Sequence, residues 1–387
     1  MPVPRLTAAF SRSRFLAGAS ALAGAAVPLR VAAAPQRYEL RELVARPYDL
    51  ETPLQYFRSF ITPTEAFFVR SHFGPPADWP PAAFALEIKG LVQKPVSLTL
   101  ADLRALPSHS VTCVIQCAGN GRAFYRPRPA GAQWHWGAVG NARFTGVKLK
   151  DVIARAGGLQ GSPAHLGVVP ADHAPSPQTP LFNRSIPIEK ALDEDTILAY
   201  DMNDAPLNVE HGGPLRLIVP GWAGDNHVKW LLSISPQTDE THGFYMDTGY
   251  RYPDVLGEPG VAIPPEKTHH VTDMPIKSII ANPLDGETVS AGHFTVQGVA
   301  FTSRGEIDRV EVSSDGGASW QPAELGPDRA KYAWRLWQAD VQLKPGAATL
   351  SARAFDTAGG AQPAAQEWNP SGYFWNVYHS VGVEVRA

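Results

Sequence analysis

The stretch that most constrains this chain runs from Val111 to Arg122 and reads Val-Thr-Cys-Val-Ile-Gln-Cys-Ala-Gly-Asn-Gly-Arg. Its first seven residues have strand composition and Ala-Gly-Asn-Gly breaks the run, so Cys117 reaches a strand end with Arg122 five residues on. Both cysteines of the protein, Cys113 and Cys117, lie here. Four residues of extended strand span about 13 Å, well beyond the roughly 7 Å Cα separation that a disulfide tolerates. At least one thiol therefore has another use.

A chain of 387 residues exceeds the length over which one core keeps growing, so two domains are expected. The 36 prolines and 34 glycines predict many turns and modest helix. Residues 1–34 hold Arg5, Arg12, Arg14 and Arg30 with no acid, followed by small and apolar residues from Phe15 to Ala26. They read as an export signal, twin-arginine-like through Arg12-Ser-Arg-Phe-Leu16, which implies a periplasmic protein. Removing those four charges from the formal net charge of -3 leaves a body of about -7. An acidic body without a Lys/Arg cluster argues against nucleic acid and favours a small ligand or a basic protein partner.

Along the chain, chemistry-bearing residues recur at strand ends. Ala66 to His72 reads as a short buried strand presenting Arg70 and His72 on one side, and Thr99 can cap a short helix. Val147 to Ala156 predicts a strand turning into a helix stopped by Gly157-Gly158. Leu166–Pro170 predicts a strand ending near Asp172, with further strands at Ile197–Tyr200, Leu215–Val219 and Leu231–Ser235. Between Ala123 and Asn141 runs a long loop rich in Arg, Pro and Trp, of the kind that lines a site. Pro253 to Pro275 lacks periodicity and marks a boundary between domains over 40–260 and 273–387. The second reads entirely as β, with the strand spacing of an immunoglobulin-like sandwich. The fold class is α+β.

On the residues alone Cys117 can be a nucleophile, a metal ligand or an inert buried thiol. Zinc is disfavoured because a second ligand pair is missing, and no Cys-x-x-Cys-His attaches a haem. Arg70 and Arg122, each just past a predicted strand, suit an oxyanion better than lysines do.

Five motifs then occur in order: Phe67-Phe-Val-Arg-Ser-His72, Cys117-Ala-Gly-Asn-Gly-Arg122, His211-Gly-Gly-Pro-Leu-Arg216, His227-Val-Lys-Trp230 and Trp368-Asn369. Over about residues 45–387 the chain resembles the sulfite oxidase family of molybdenum enzymes. The resemblance implies a molybdenum–molybdopterin cofactor with Cys117 as the thiolate ligand of the metal. It implies that His72, Asp172, His211, Arg216, His227, Val228 and Lys229 hold the pterin and its phosphate. The substrate pocket would comprise Arg70, Arg122, Tyr250 and Trp134, with Trp136 the alternative to Trp134. Cys113 reads as packing.

The resemblance further implies oxidation of sulfite or a related small sulfur oxyanion, and a homodimer formed through the C-terminal domain. No haem domain is expected in this chain, so electrons would pass to a c-type cytochrome or other external acceptor. One departure stands out: where vertebrate-type members carry an arginine before the glycine of the late motif, this chain has Ser371 before Gly372. That keeps open a related molybdoenzyme acting on sulfane sulfur. From another class, a non-catalytic secreted binding protein remains as the alternative.

Overall fold

In the computed structural model the described residues are 37–45, 47–172 and 174–387, so the expected export signal lies outside them. Alternating burial along Ser108–Gln116 gives way to four consecutive buried residues, and this strand pairs antiparallel with Val139–Lys148, Cys113 lying opposite Ala142. Ile197–Met202 adds to the far side of Val139–Lys148, and pairs in turn with Ala205–Pro206 and Arg216–Ile218. A second five-stranded sheet runs in the order Val96–Thr99, Ala85–Ile88, Leu231–Gln237, His165–Pro170, Arg184–Pro187. In it only Ala85–Ile88 and Leu231–Gln237 are parallel.

Helices are short, as the proline and glycine content implies. Leu100–Arg104 starts at a capping box in which Thr99 and Asp102 satisfy each other's main-chain N–H groups. Leu149–Arg155 follows its strand directly and stops at Gly157 and Gly158, both in the left-handed region. Ala66–His72 differs from expectation. Ala66 closes a 3-10 turn, Thr64–Ala66, and the rest of the segment, largely buried, joins its neighbour by a single bridge between Leu50 and Val69 and belongs to no ladder. Its side chains enter the core without a sheet around them.

The C-terminal part is a β-sandwich. A four-stranded sheet of Lys277–Asn282, Gly292–Phe301, Arg335–Leu343 and Glu324–Leu325 faces a five-stranded one. The latter comprises Thr288–Ser290, His379–Arg386, Gly346–Asp356, Ile307–Ser313 and Gln321–Pro322. Inward positions such as Ile280, Val296, Val310, Leu350 and Val381 form one core between them. The segment expected to be a linker is tied down, because Arg251–Pro253 pairs with Thr268–His270. A shared core also spans the two halves: Phe57 packs with Ile279, Val299, Phe301 and Trp334, whose indole N–H donates to the Phe60 carbonyl at 2.8 Å.

Candidate active site

The strand end at Cys117 opens into a cleft of about 690 Å³, counting the space continuous with solvent. Its walls bring together Arg70, His72, Cys117, Asp172, His211, Arg216, His227, Lys229 and Tyr250 from seven separate segments. Cys117 is fixed by its main chain, its N–H donating to Ala138 O and its carbonyl accepting from Asn120 N–H. Burial pushes its thiol up, while Arg70, Arg122 and the Gly119 N–H pull it down. Cys113, four residues earlier, is wholly buried and pushed up to about 12. Both thiols are free, as the strand geometry requires.

Cations crowd this cleft. Arg216 donates to the main-chain carbonyls of His211 and His227 at 2.8 and 3.0 Å, and its Nε is buried without a partner. Lys229 donates to Glu210 O at 2.9 Å; burial and then Arg216 lower its pKa to about 7. Gly212 makes this approach possible, because a Cβ there would lie 2.8 Å from Lys229 Cγ. Arg70 alone has a carboxylate, Asp49, at 3.3 Å. Burial raises Asp172 to about 7, against the pull of Lys229 and Arg70.

The histidines divide by role. Burial, then Arg70, Arg184 and Lys229, hold His72 well below its ordinary range, and its Nε2 shares a 2.8 Å hydrogen bond with Tyr250 Oη. Tyr250, pushed well above its usual range by burial, keeps its proton. His211 donates Nε2–H to Thr64 O at 3.0 Å. His227 donates Nε2–H to Trp222 O at 3.0 Å and accepts at Nδ1 from Val219 N–H. With both nitrogens engaged, His227 braces the cleft wall and has none to offer a ligand.

Three expected residues stand elsewhere. Val228 is in the core, its carbonyl accepting from Leu217 N–H, and does not face the cleft. Trp134 is wholly buried, edge-on to Phe68 at 6.3 Å, rather than on the cleft wall. The cause lies in Glu51, whose Oε1 takes the N–H groups of His135 and Gly137 and anchors the loop around the ring. Trp136 packs on His379 and Phe124. Arg122 lies behind the cleft wall: Nε donates to Ser371 O at 2.8 Å and Nη1 to Ala132 O at 3.0 Å. Its guanidinium occupies the space a Cβ on Gly119 would need.

Sequence reading missed Arg184, Asp225 and Tyr373. Arg184 pairs with Asp225 at 2.8 Å, both side chains 1% exposed, and its guanidinium lies over the Tyr250 ring at 5.3 Å. For Asp225 the one signal was a charge just after a glycine in the run Gly221 to His227; Arg184 and Tyr373 carried none.

The fold and the thiol-plus-cation site define a molybdopterin oxidoreductase. Residues 72–245 match the model of the oxidoreductase molybdopterin binding domain, and 268–386 that of the Mo-co oxidoreductase dimerisation domain. The chain is 37% identical over 91% of its length to the mitochondrial sulfite oxidase of Drosophila melanogaster, and spans 64% of that protein. It is 31% identical to the sulfite oxidase of Arabidopsis thaliana, covering 90% of this chain and 94% of the relative. The solved sulfane dehydrogenase SoxCD of Paracoccus pantotrophus superposes with TM-score 0.76 at 26% identity, over 94% of this chain and 95% of that one. The chain belongs to the sulfite oxidase family of molybdenum oxidoreductases.

The residues present fit the cofactor of that family. A soft sulfur donor stands at the cleft wall, the partnerless Nε of Arg216 suits an oxyanion, and Lys229 and Arg216 have no carboxylate ion pair among the described residues.

Proposed function

We propose that this chain oxidises sulfite: sulfite and water become sulfate, two protons and two electrons, and the electrons leave to an external acceptor such as a c-type cytochrome. The observation that carries this reading is the set of cations around Cys117, Arg122, Arg216 and Lys229, held by main-chain carbonyls rather than by carboxylates. Their charge is left for an anion. When bound, molybdopterin brings a metal centre able to deliver an oxygen atom and accept two electrons. Cys117 would hold the metal, and Arg216 and Lys229 would hold the cofactor's phosphate, with Asp172 and His211 beside them. Arg70, on the cleft wall, orients the substrate with a planar fork that matches an oxyanion, and Arg122 adds its charge from behind the wall. Tyr250 holds a proton at Oη beside neutral His72, and Phe182 and Tyr245 pack around that imidazole.

We infer that two copies associate through the C-terminal sandwich, supported by the dimerisation-domain match, and that the protein works in the periplasm, supported by the export-type amino terminus. A second reading, oxidation of sulfane sulfur, is favoured by Ser371. It offers Arg122 a carbonyl where the family pattern has a cation, and the likeness to a solved sulfane dehydrogenase points the same way. Protein made in a host that synthesises molybdopterin decides. Stoichiometric molybdenum and sulfite-dependent reduction of cytochrome c are expected; absence of molybdenum would sink the enzyme reading. Reduction with thiosulfate but not sulfite would move the assignment to sulfane sulfur.

A further inference from the structure

The late segment around Trp368-Asn369 does more than close the sandwich. Its main chain clasps the turn that follows Cys117: Phe374 N–H donates to Ala118 O at 2.8 Å, and Arg122 Nε–H reaches back to Ser371 O. Gly121, at φ +94, leaves no room for a Cβ, which would sit 2.4 Å from Trp375 Cβ. Within this clasp Tyr373 is fixed from three sides. Asn369 Oδ1 accepts its N–H at 2.9 Å, and its carbonyl accepts from Asn369 Nδ2 at 3.0 Å and from Tyr125 Oη at 2.7 Å.

The ring so held is the middle of a column. Tyr373 and Tyr250 are parallel, their planes 2° apart and centroids 5.7 Å apart. The Arg122 guanidinium carbon lies 5.4 Å from the Tyr373 centroid, and that of Arg184 lies 5.3 Å from the Tyr250 centroid. Both distances fall inside the reach of cation–π attraction, which strengthens where water is excluded. The two ends differ in charge balance. Arg184 is neutralised by buried Asp225, whereas Arg122 has no carboxylate ion pair among the described residues. Tyr250 also has φ +52, a conformation that costs a non-glycine residue about 1–2 kcal/mol and persists only where its surroundings over-determine it. The Tyr373 ring supplies one such constraint and His72 another.

We propose that Tyr373 is a positioning residue for anion binding: stacked between Arg122 and Tyr250, it sets where the uncompensated guanidinium and the Tyr250 hydroxyl stand relative to each other. This rests on the reading of Arg122, by its charge, and Tyr250, by its hydroxyl, as groups that act on the anion. Beside Arg70 on the cleft wall, a sulfur oxyanion then feels a second cation whose position is fixed by a ring. The column therefore acts on affinity and selectivity for the anion before it acts on the rate of chemistry.

The test uses the holoenzyme, with sulfate as the probe, its dissociation constant measured by calorimetry and steady-state constants for sulfite measured alongside. Tyr373→Leu is expected to weaken sulfate binding by up to about tenfold, the bound reached if the stacking and cation–π contacts that hold Arg122 and Tyr250 in place are spent wholly on positioning them. KM for sulfite rises similarly, and kcat falls less than KM rises. Tyr373→Phe keeps the ring and is expected to recover most of that loss. Should the leucine variant not fold, Tyr373→Met, unbranched and of similar reach, carries the same expectation. Unchanged sulfate affinity in the folded Leu or Met variant overturns the proposal, as does an equal loss in the Phe variant or a wild-type protein that binds no sulfate. If the wild type binds sulfate but does not oxidise sulfite, and the Leu variant still weakens binding, the positioning role stands and only the reaction assignment fails.

Discussion

Replacing Lys277 by methionine should stabilise this protein at neutral pH. Lys277 opens the strand Lys277–Asn282, is wholly buried, and its Nζ has no hydrogen-bond partner. The Trp136 ring lies 5.8 Å from the ammonium. Burial lowers its pKa from 10.5 to about 7, with the Cys117 sulfur pulling weakly the other way. His379, on the strand His379–Arg386, feels the same cation, and burial and then Lys277 lower its pKa to about 3. Between about pH 7 and the unfolded lysine value, the unfolded chain binds a proton that the folded chain lacks, so wild-type stability rises with pH across that window. Below it the full charge-burial penalty applies. At 1.36 kcal/mol per unit, the gap of about 3.5 units amounts to ~5 kcal/mol. Methionine has similar reach and no charge, and removes that penalty. The assay is urea unfolding of wild type and Lys277→Met from about pH 6.5 to 10. The variant should be the more stable by ~5 kcal/mol near neutrality, with the difference narrowing by about 1.4 kcal/mol per unit as pH rises. A difference that does not vary with pH, or a variant less stable at pH 7, refutes the reasoning.

Three further outcomes are expected. Cys117→Ser should abolish both molybdenum retention and sulfite oxidation, whereas Cys113→Ser, which puts a hydroxyl in a dry strand position, should lose about 1–3 kcal/mol of stability and keep most activity; metal analysis and unfolding separate them. Asp225→Asn leaves Arg184 buried with its charge uncompensated and should destabilise by about 3–5 kcal/mol in urea unfolding. Thr99→Ala removes one half of the capping box at Leu100 and should lower stability by about 1 kcal/mol, with faster hydrogen exchange confined to Leu100–Arg104 and its neighbours.

Much of this was legible in the chain because it was written locally. The Ala-Gly-Asn-Gly break, the Thr99 cap and the glycines after Leu149–Arg155 each act within a few residues, and the elements end where those residues require. The expected cleft residues from Arg70 to Tyr250 converge because strand ends gather at one edge. What was not legible depends on distant partners. Arg184 reads as an ordinary charged residue until Asp225, 41 positions on, is folded against it. Trp134 and Trp136 cannot be told apart from a loop sequence, and it is Glu51, far upstream, that draws the loop in and leaves neither on the cleft. Val228 illustrates a third case. It sits between two cleft residues in an irregular segment after the 3-10 turn Gly224–Asn226, and its side chain joins the core instead.

The clasp around Cys117 also sets an order of events in the making of the protein. Arg122 is anchored to a carbonyl 249 residues further along the chain, and Ala118 to Phe374. A ribosome that has delivered every strand of the first two sheets has therefore not yet delivered a finished site. The wall behind Cys117 closes only when the final stretch emerges and threads back. The turn after Cys117 and the segment from Ser371 to Phe374 are thus one structural unit, and a change that displaces either carbonyl-to-N–H tie would be felt at the wall behind the thiol.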